Sequence, residues 1–141
     1  MAKLRIIVAD HNPLFLQKLV LLLVVEFDIV AAATDGESAL ELIRRFHPDL
    51  VVLDLYMPML SGIEITRELA TNFPTLPVVI CTVEDDPEIV ETAQRAGAVG
   101  YVLKSRVEED LILAMKLALQ AKPFVSSASQ EVRKPPLIGE A

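Results

Sequence analysis

The stretch Asp49-Leu50-Val51-Val52-Leu53-Asp54-Leu55-Tyr56-Met57-Pro58-Met59-Leu60-Ser61-Gly62 decides how this chain folds. Four apolar residues between two aspartates, followed by a Pro/Gly loop, have the pattern of a strand buried on both faces. Such strands belong to parallel sheets, and this one delivers the carboxylate of Asp54 to the loop at its end.

Working outward, the flanking segments alternate strand and helix. Residues 4–9 form a short β-branched run that gives way at Asp10-His11-Asn12-Pro13 to turn chemistry, with a proline suited to a first helical turn. The first helix is expected over about residues 13–26 and the second strand over 28–33. Thr34-Asp35-Gly36-Glu37 has the spacing of a capping box for a second helix that Pro48 closes. Ser61-Gly62-Ile63-Glu64 repeats that spacing at the third helix, bounded by Pro74. A fourth strand is expected over 77–82. A fourth helix follows, capped around Asp85-Asp86-Pro87-Glu88 and ended by Gly97. The fifth strand spans 99–103, with Gly100 inside it, and the fifth helix opens at Ser105-Arg106-Val107-Glu108 and runs to about Lys122. Each parallel crossover needs a helix to return the chain. The sequence therefore predicts an α/β fold, a five-stranded parallel sheet with helices on both faces.

Composition narrows the function. The chain has 141 residues, 52% of them hydrophobic, enough for one domain with a sizeable core. A net charge of −7 and no basic patch argue against binding of nucleic acid by these residues. The single Cys81 excludes an internal disulfide and reads as a buried small hydrophobe. The longest apolar stretch, residues 19–25, is far short of the ~20 residues of a membrane span. With no leader pattern at Met1-Ala2-Lys3, a cytoplasmic location is the expectation. His47, beside Pro48, is assigned no role.

In doubly wound sheets ligands bind outside the carboxyl ends of the strands. There the sequence places Asp10 and His11, Asp54, Thr82 and Glu84, and Lys104. Carboxylates suit a hard divalent cation, and a carboxylate can itself be a nucleophile that forms an aspartyl-phosphate. A cation, a lysine and a hydroxyl together neutralise phosphoryl oxygens. Asp54 is thus the candidate acceptor, Lys104 the charge clamp and Thr82 the hydroxyl.

These residues carry a specific resemblance. Val8-Ala9-Asp10-His11-Asn12-Pro13, Leu53-Asp54-Leu55-Tyr56-Met57-Pro58 with Gly62, Thr82, Gly97-Ala98-Val99-Gly100-Tyr101 and Lys104 resemble the receiver domain of two-component response regulators over about residues 4–121. The details at Asn12-Pro13 and the Gly-Ala-Val-Gly-Tyr run look closest to the NarL/FixJ-type (LuxR-like) subfamily. The resemblance implies a flavodoxin-like sheet of order 2-1-3-4-5 and a sensor histidine kinase that phosphorylates Asp54. It implies Mg²⁺ as cofactor, held by Asp10, Asp54 and the Tyr56 backbone carbonyl. It further implies a Thr82–Tyr101 switch acting on the face of helix 4, strand 5 and helix 5. On this reading the chain is a signalling domain rather than an enzyme.

Two positions depart from the family pattern. His11 stands where the family has a second acid that contacts the metal, and a neutral imidazole suits borderline transition metals better than Mg²⁺. Metal affinity and phosphorylation are then either tuned or weakened, and in the second case the chain is a pseudo-receiver that acts as a protein-interaction module. Val83 is bulkier than the Ala or Ser common after the switch threonine. An aspartyl-phosphate hydrolase of the haloacid dehalogenase kind would carry a second Asp where this chain has Tyr56.

Helix 1 is apolar on a side that ought to be wet, through Leu14, Leu21, Leu22 and Val25, and helix 5 leaves Leu113 and Leu117 near its polar side. These stripes predict a homodimer or a kinase contact through helices 1 and 5. Residues 1–122 then form the receiver and residues 123–141 a linker or tail of Pro- and Ser-rich composition. No effector domain follows in this sequence.

Overall fold

A computed structural model describes residues 2–126. The elements run β1 (Arg5–Ala9), α1 (Pro13–Leu23), β2 (Asp28–Ala33), α2 (Gly36–Phe46), β3 (Leu50–Asp54), α3 (Gly62–Asn72), β4 (Val78–Thr82), α4 (Pro87–Ala96), β5 (Gly100–Leu103), α5 (Val107–Leu119) and β6 (Phe124–Val125). The described strands form a parallel sheet of order β2-β1-β3-β4-β5-β6. The alternating α/β architecture is as the sequence pattern predicts, and the flavodoxin-like order 2-1-3-4-5 is as the family resemblance implies. The addition is β6, whose Phe124 and Val125 pair with Gly100 and Tyr101. Residues 127–141, the greater part of the expected tail, lie outside the described residues.

Two apolar layers enclose the sheet. On one face Ile7, Val51, Leu53, Ile80 and Leu103 pack against α2, α3 and α4. On the other, Val8, Val52, Cys81 and Val102 pack against Leu19 and Leu23 of α1 and Leu111, Ala114 and Met115 of α5. The central strands β3 and β4 are buried at every position, because both of their faces are covered.

Local chemistry departs from the sequence expectation at several helix ends. Asn12 caps α1, its side chain accepting from the Leu14 and Phe15 N–H groups. That helix stops at Leu23, three residues before the predicted end. Asp35, not Thr34, caps α2, accepting from the Ser38 N–H at 2.8 Å. The predicted capping box at α3 is present, with Ser61 and Glu64 bonded reciprocally. Ser105 does not cap α5. A 3-10 turn over Lys104–Arg106 leads into the helix, which ends at Leu119 with no side-chain cap at its start.

Candidate functional site

Register assembles the site. Ala9 pairs with Leu53, so the next residues, Asp10 and Asp54, stand side by side at the ends of β1 and β3. Asp54 pairs with Cys81 of β4, and Thr82 pairs with Leu103, which places Lys104 one step beyond the sheet. Strand alternation turns Asp10, Asp54 and Lys104 toward the α1/α5 side, because Val8, Val52 and Val102 lie in that layer. Thr82 has the opposite parity and falls on the side of α2, α3 and α4.

Asp10 is fully buried and Asp54 is 2% exposed. Lys104 Nζ lies 2.7 Å from Asp10 Oδ2 and 3.5 Å from Asp54 Oδ2, so one ammonium serves two carboxylates. The 2.7 Å contact between Lys104 Nζ and Asp10 Oδ2 is that of a charge-assisted pair inside the protein. The lysine also lies over the Phe15 ring, 4.6 Å from its centroid, a cation–π contact that fixes its course. Burial pushes the Asp10 carboxyl above the usual range; the Lys104 ammonium and the Asn12 N–H pull it back, while Asp54 adds like-charge repulsion.

His11 closes the cluster. Its N–H donates to Asp54 Oδ2 at 3.2 Å, and its ring folds back so that Nδ1 contacts the same oxygen. Nδ1 is also 3.8 Å from Asp10 Oδ1, and half of the side chain is exposed. The Tyr56 N–H donates to Asp54 Oδ1 at 3.4 Å, bringing the Tyr56 backbone beside the carboxylate. Asp10 and Asp54 form an acidic pocket of the kind a hard cation such as Mg²⁺ can occupy. The imidazole nitrogen is the misfit, and the three donors together do not make the all-oxygen shell that Mg²⁺ takes.

Thr82 and Tyr101 meet at another residue, Glu84. The Glu84 N–H donates to Thr82 Oγ1 at 3.2 Å, and the buried Tyr101 hydroxyl donates to the Glu84 carbonyl at 2.6 Å. Val83 between them is exposed. Of the apolar stripe, Leu14, Leu21, Val25 and Leu113 are exposed, while Leu22 is half-buried against the core and Leu117 is intermediate. Cys81 is buried, and burial pushes its thiol up.

Sequence reasoning missed three structural residues. A Cβ on Gly36 would stand 2.0 Å from the Leu60 carbonyl oxygen, so this glycine lets the loop after β3 lie against α2. Asp110 is buried on α5, paired with Arg106 and accepting from Ser126 Oγ at 2.6 Å. Ser126 itself looked like linker. The Leu60 and Ser126 partners are distant in sequence, and the Arg106–Asp110 spacing of four is that of any helix-surface ion pair, so it does not single out a buried one.

Residues 6–116 match the response regulator receiver domain family. The chain is 34% identical over 125 residues to the transcriptional regulatory protein DegU of Brevibacillus brevis, covering 87% of this chain and 53% of that protein. It is 36% identical over 101 residues to the oxygen regulatory protein NreC of Staphylococcus epidermidis, covering 71% and 46%. The chain thus spans about half the length of the curated relatives it matches. Among solved structures it resembles the signal receiver domain of the response regulator NarL from Mycobacterium tuberculosis, at 30% identity and a TM-score of 0.81, over 85% of this chain and 98% of that one. A DNA-binding response regulator of the LuxR family from Staphylococcus aureus gives 29% identity and a TM-score of 0.78, over 82% and 98%. Fold, rim residues and these matches agree, and the chain belongs to the response regulator receiver domains, in their NarL/FixJ-type branch.

Proposed function

We propose that this receiver accepts a phosphoryl group on Asp54 from a sensor histidine kinase. The observation that carries the reading is the near-buried Asp54 carboxylate at the end of β3, with the Lys104 ammonium 3.5 Å away. In the transfer the kinase's N–P bond breaks as an Asp54 O–P bond forms. Lys104 then balances charge on the phosphoryl oxygens, a role that preorganised cations fill in such transfers. Thr82 Oγ1 would turn toward the same oxygens. Doing so releases the Glu84 N–H, and because Tyr101 bonds to the Glu84 carbonyl, the movement reaches the α4–β5–α5 face through one residue.

That face would control an output in the cytoplasm. Transcription is the output suggested by relatives named as transcriptional or DNA-binding regulators, through a DNA-binding domain rather than through these acidic residues. The exposed apolar residues Leu14, Leu21, Val25 and Leu113 support a homodimer through α1 and α5. Lys18 and Glu108, 3.8 Å apart, tie these two helices together within the protomer.

Beryllofluoride with a divalent cation tests the switch without a kinase. The expected result is amide shifts at Asp54, Thr82, Glu84 and Tyr101 and along α4 and α5; an unchanged spectrum overturns it. One observation favours a second reading. The His11 ring already contacts Asp54 Oδ2, as a phosphorylation-independent interaction module would permit. An unchanged spectrum together with α1/α5-dependent dimerisation is the outcome that reading predicts.

A further inference from the structure

We propose that Asp10, His11 and Asp54 form a mixed-donor site that selects a borderline divalent transition cation, of which Zn²⁺ is the type, over Mg²⁺, with His11 Nδ1 as its nitrogen ligand. This concerns metal selection alone and stands whether or not Asp54 is phosphorylated.

Among the described residues these three form the group whose ligand atoms all lie within 4.8 Å of one another. The chemistry of the donors is specific. Two carboxylate oxygens and one imidazole nitrogen converge, and imidazole suits zinc, copper, iron and nickel, whereas Mg²⁺ prefers oxygen and keeps several waters. The nitrogen lies among the carboxylates, and as a ligand it would exchange its hydrogen bond to Asp54 Oδ2 for the metal. The His11 N–H bond to Asp54 Oδ2 fixes the main chain so that the ring turns inward, with Nδ1 facing both Asp54 Oδ2 and Asp10 Oδ1. Asp10 is fully buried with the Lys104 ammonium 2.7 Å from its Oδ2, so a dication would share this carboxylate with the lysine.

Charge points the same way. Two carboxylates face one ammonium, leaving one negative charge to attract a dication. An acid in place of His11 would leave two. A hard cation held mainly by charge loses most from that difference, whereas a borderline cation regains it through the nitrogen bond. Zinc–nitrogen and zinc–oxygen bonds of about 2.0–2.2 Å place neighbouring ligand atoms roughly 3–4 Å apart. The three ligand atoms lie within 4.8 Å of one another, near that spacing.

Zinc outranks magnesium at most nitrogen- and oxygen-donor sites, so affinity by itself decides nothing. The dependence on His11 is diagnostic. The test is calorimetric titration of the untagged, metal-free chain with Zn²⁺ and with Mg²⁺, for wild type, His11→Asp, His11→Ala and His47→Ala. Circular dichroism establishes that each variant is folded, and Co²⁺ absorption reports nitrogen ligation. The expected result is one Zn²⁺ per chain, with the Zn²⁺/Mg²⁺ affinity ratio falling at least tenfold in His11→Asp. His11→Ala weakens Zn²⁺ at least tenfold and changes the Co²⁺ spectrum, and His47→Ala does neither. An unchanged ratio in both His11 variants overturns the proposal, as does Zn²⁺ binding that is lost in His47→Ala instead. Absence of phosphorylation with His11-dependent Zn²⁺ binding retained would defeat the phosphoacceptor reading and leave this one standing.

Discussion

Gly62 and Gly36 show how tightly the loop around Asp54 is built. A Cβ at Gly62 would lie 2.3 Å from the Asp54 carbonyl oxygen, and one at Gly36 would lie 2.0 Å from that of Leu60. Both obstacles are backbone, which cannot swing aside. Gly62→Ala and Gly36→Ala should each destabilise by about 1–3 kcal/mol in urea unfolding, as overpacking does. Tyr101 gives a second residue-scale prediction. Removing its hydroxyl in Tyr101→Phe forfeits the bond to the Glu84 carbonyl and should cost about 1 kcal/mol at neutral pH. Burial, reinforced by the Glu84 charge, pushes this phenol above its ordinary range. The folded state then retains a proton that the unfolded chain loses above pH ~10, so stability falls as pH rises past that point. Unfolding curves between pH 9 and 11 should show a shallower decline in Tyr101→Phe than in wild type. Asp54, Lys104 and Asp10 were legible in the sequence because strand ends locate them. The inward turn of the His11 ring was not, since it depends on a bond to a residue 43 positions away.

At the scale of elements, β6 marks where the sequence pattern failed. Two residues following Lys122-Pro123 carry no periodicity, and only tertiary pairing makes them a strand. The Phe124 N–H donates to the Val99 carbonyl at 3.1 Å and the Ser126 N–H to the Tyr101 carbonyl at 2.7 Å. Ser126 Oγ then bonds to the buried Asp110 carboxylate, anchoring the strand to α5. Ser126→Ala leaves that carboxylate short of a donor and should cost about 1–3 kcal/mol. Hydrogen exchange should show the Phe124 and Ser126 amides losing protection in that variant while those of β4 keep theirs. The ends of α1 and α5 were overestimated for a related reason. Apolar Val24 and Val25 follow the end of α1 and the helix formers Gln120-Ala121-Lys122 that of α5, and sequence pattern alone does not reveal that Val24 and Gln120 act as caps.

For the whole molecule, the alternation of five strands and five helices was readable because each strand is short, apolar and bounded by turn residues, and each crossover demands a helix. The sheet order came from family resemblance, since alternation alone permits several orders. The α1/α5 surface belongs to this scale too. Leu14 and Leu21 exposed on α1, Leu113 exposed on α5 and Val25 just past the end of α1 predict self-association. Leu21→Glu should shift sedimentation from dimer to monomer; a wild-type chain that stays monomeric at high concentration, with and without beryllofluoride, contradicts the dimer. The central claim, that this fold exists to present Asp54 for phosphorylation, is tested most directly by intact-mass measurement after incubation with acetyl phosphate and a divalent cation. The account predicts the mass of one phosphoryl group added to wild type and none to Asp54→Asn. No added mass with any divalent cation, or the same gain in Asp54→Asn, would contradict it.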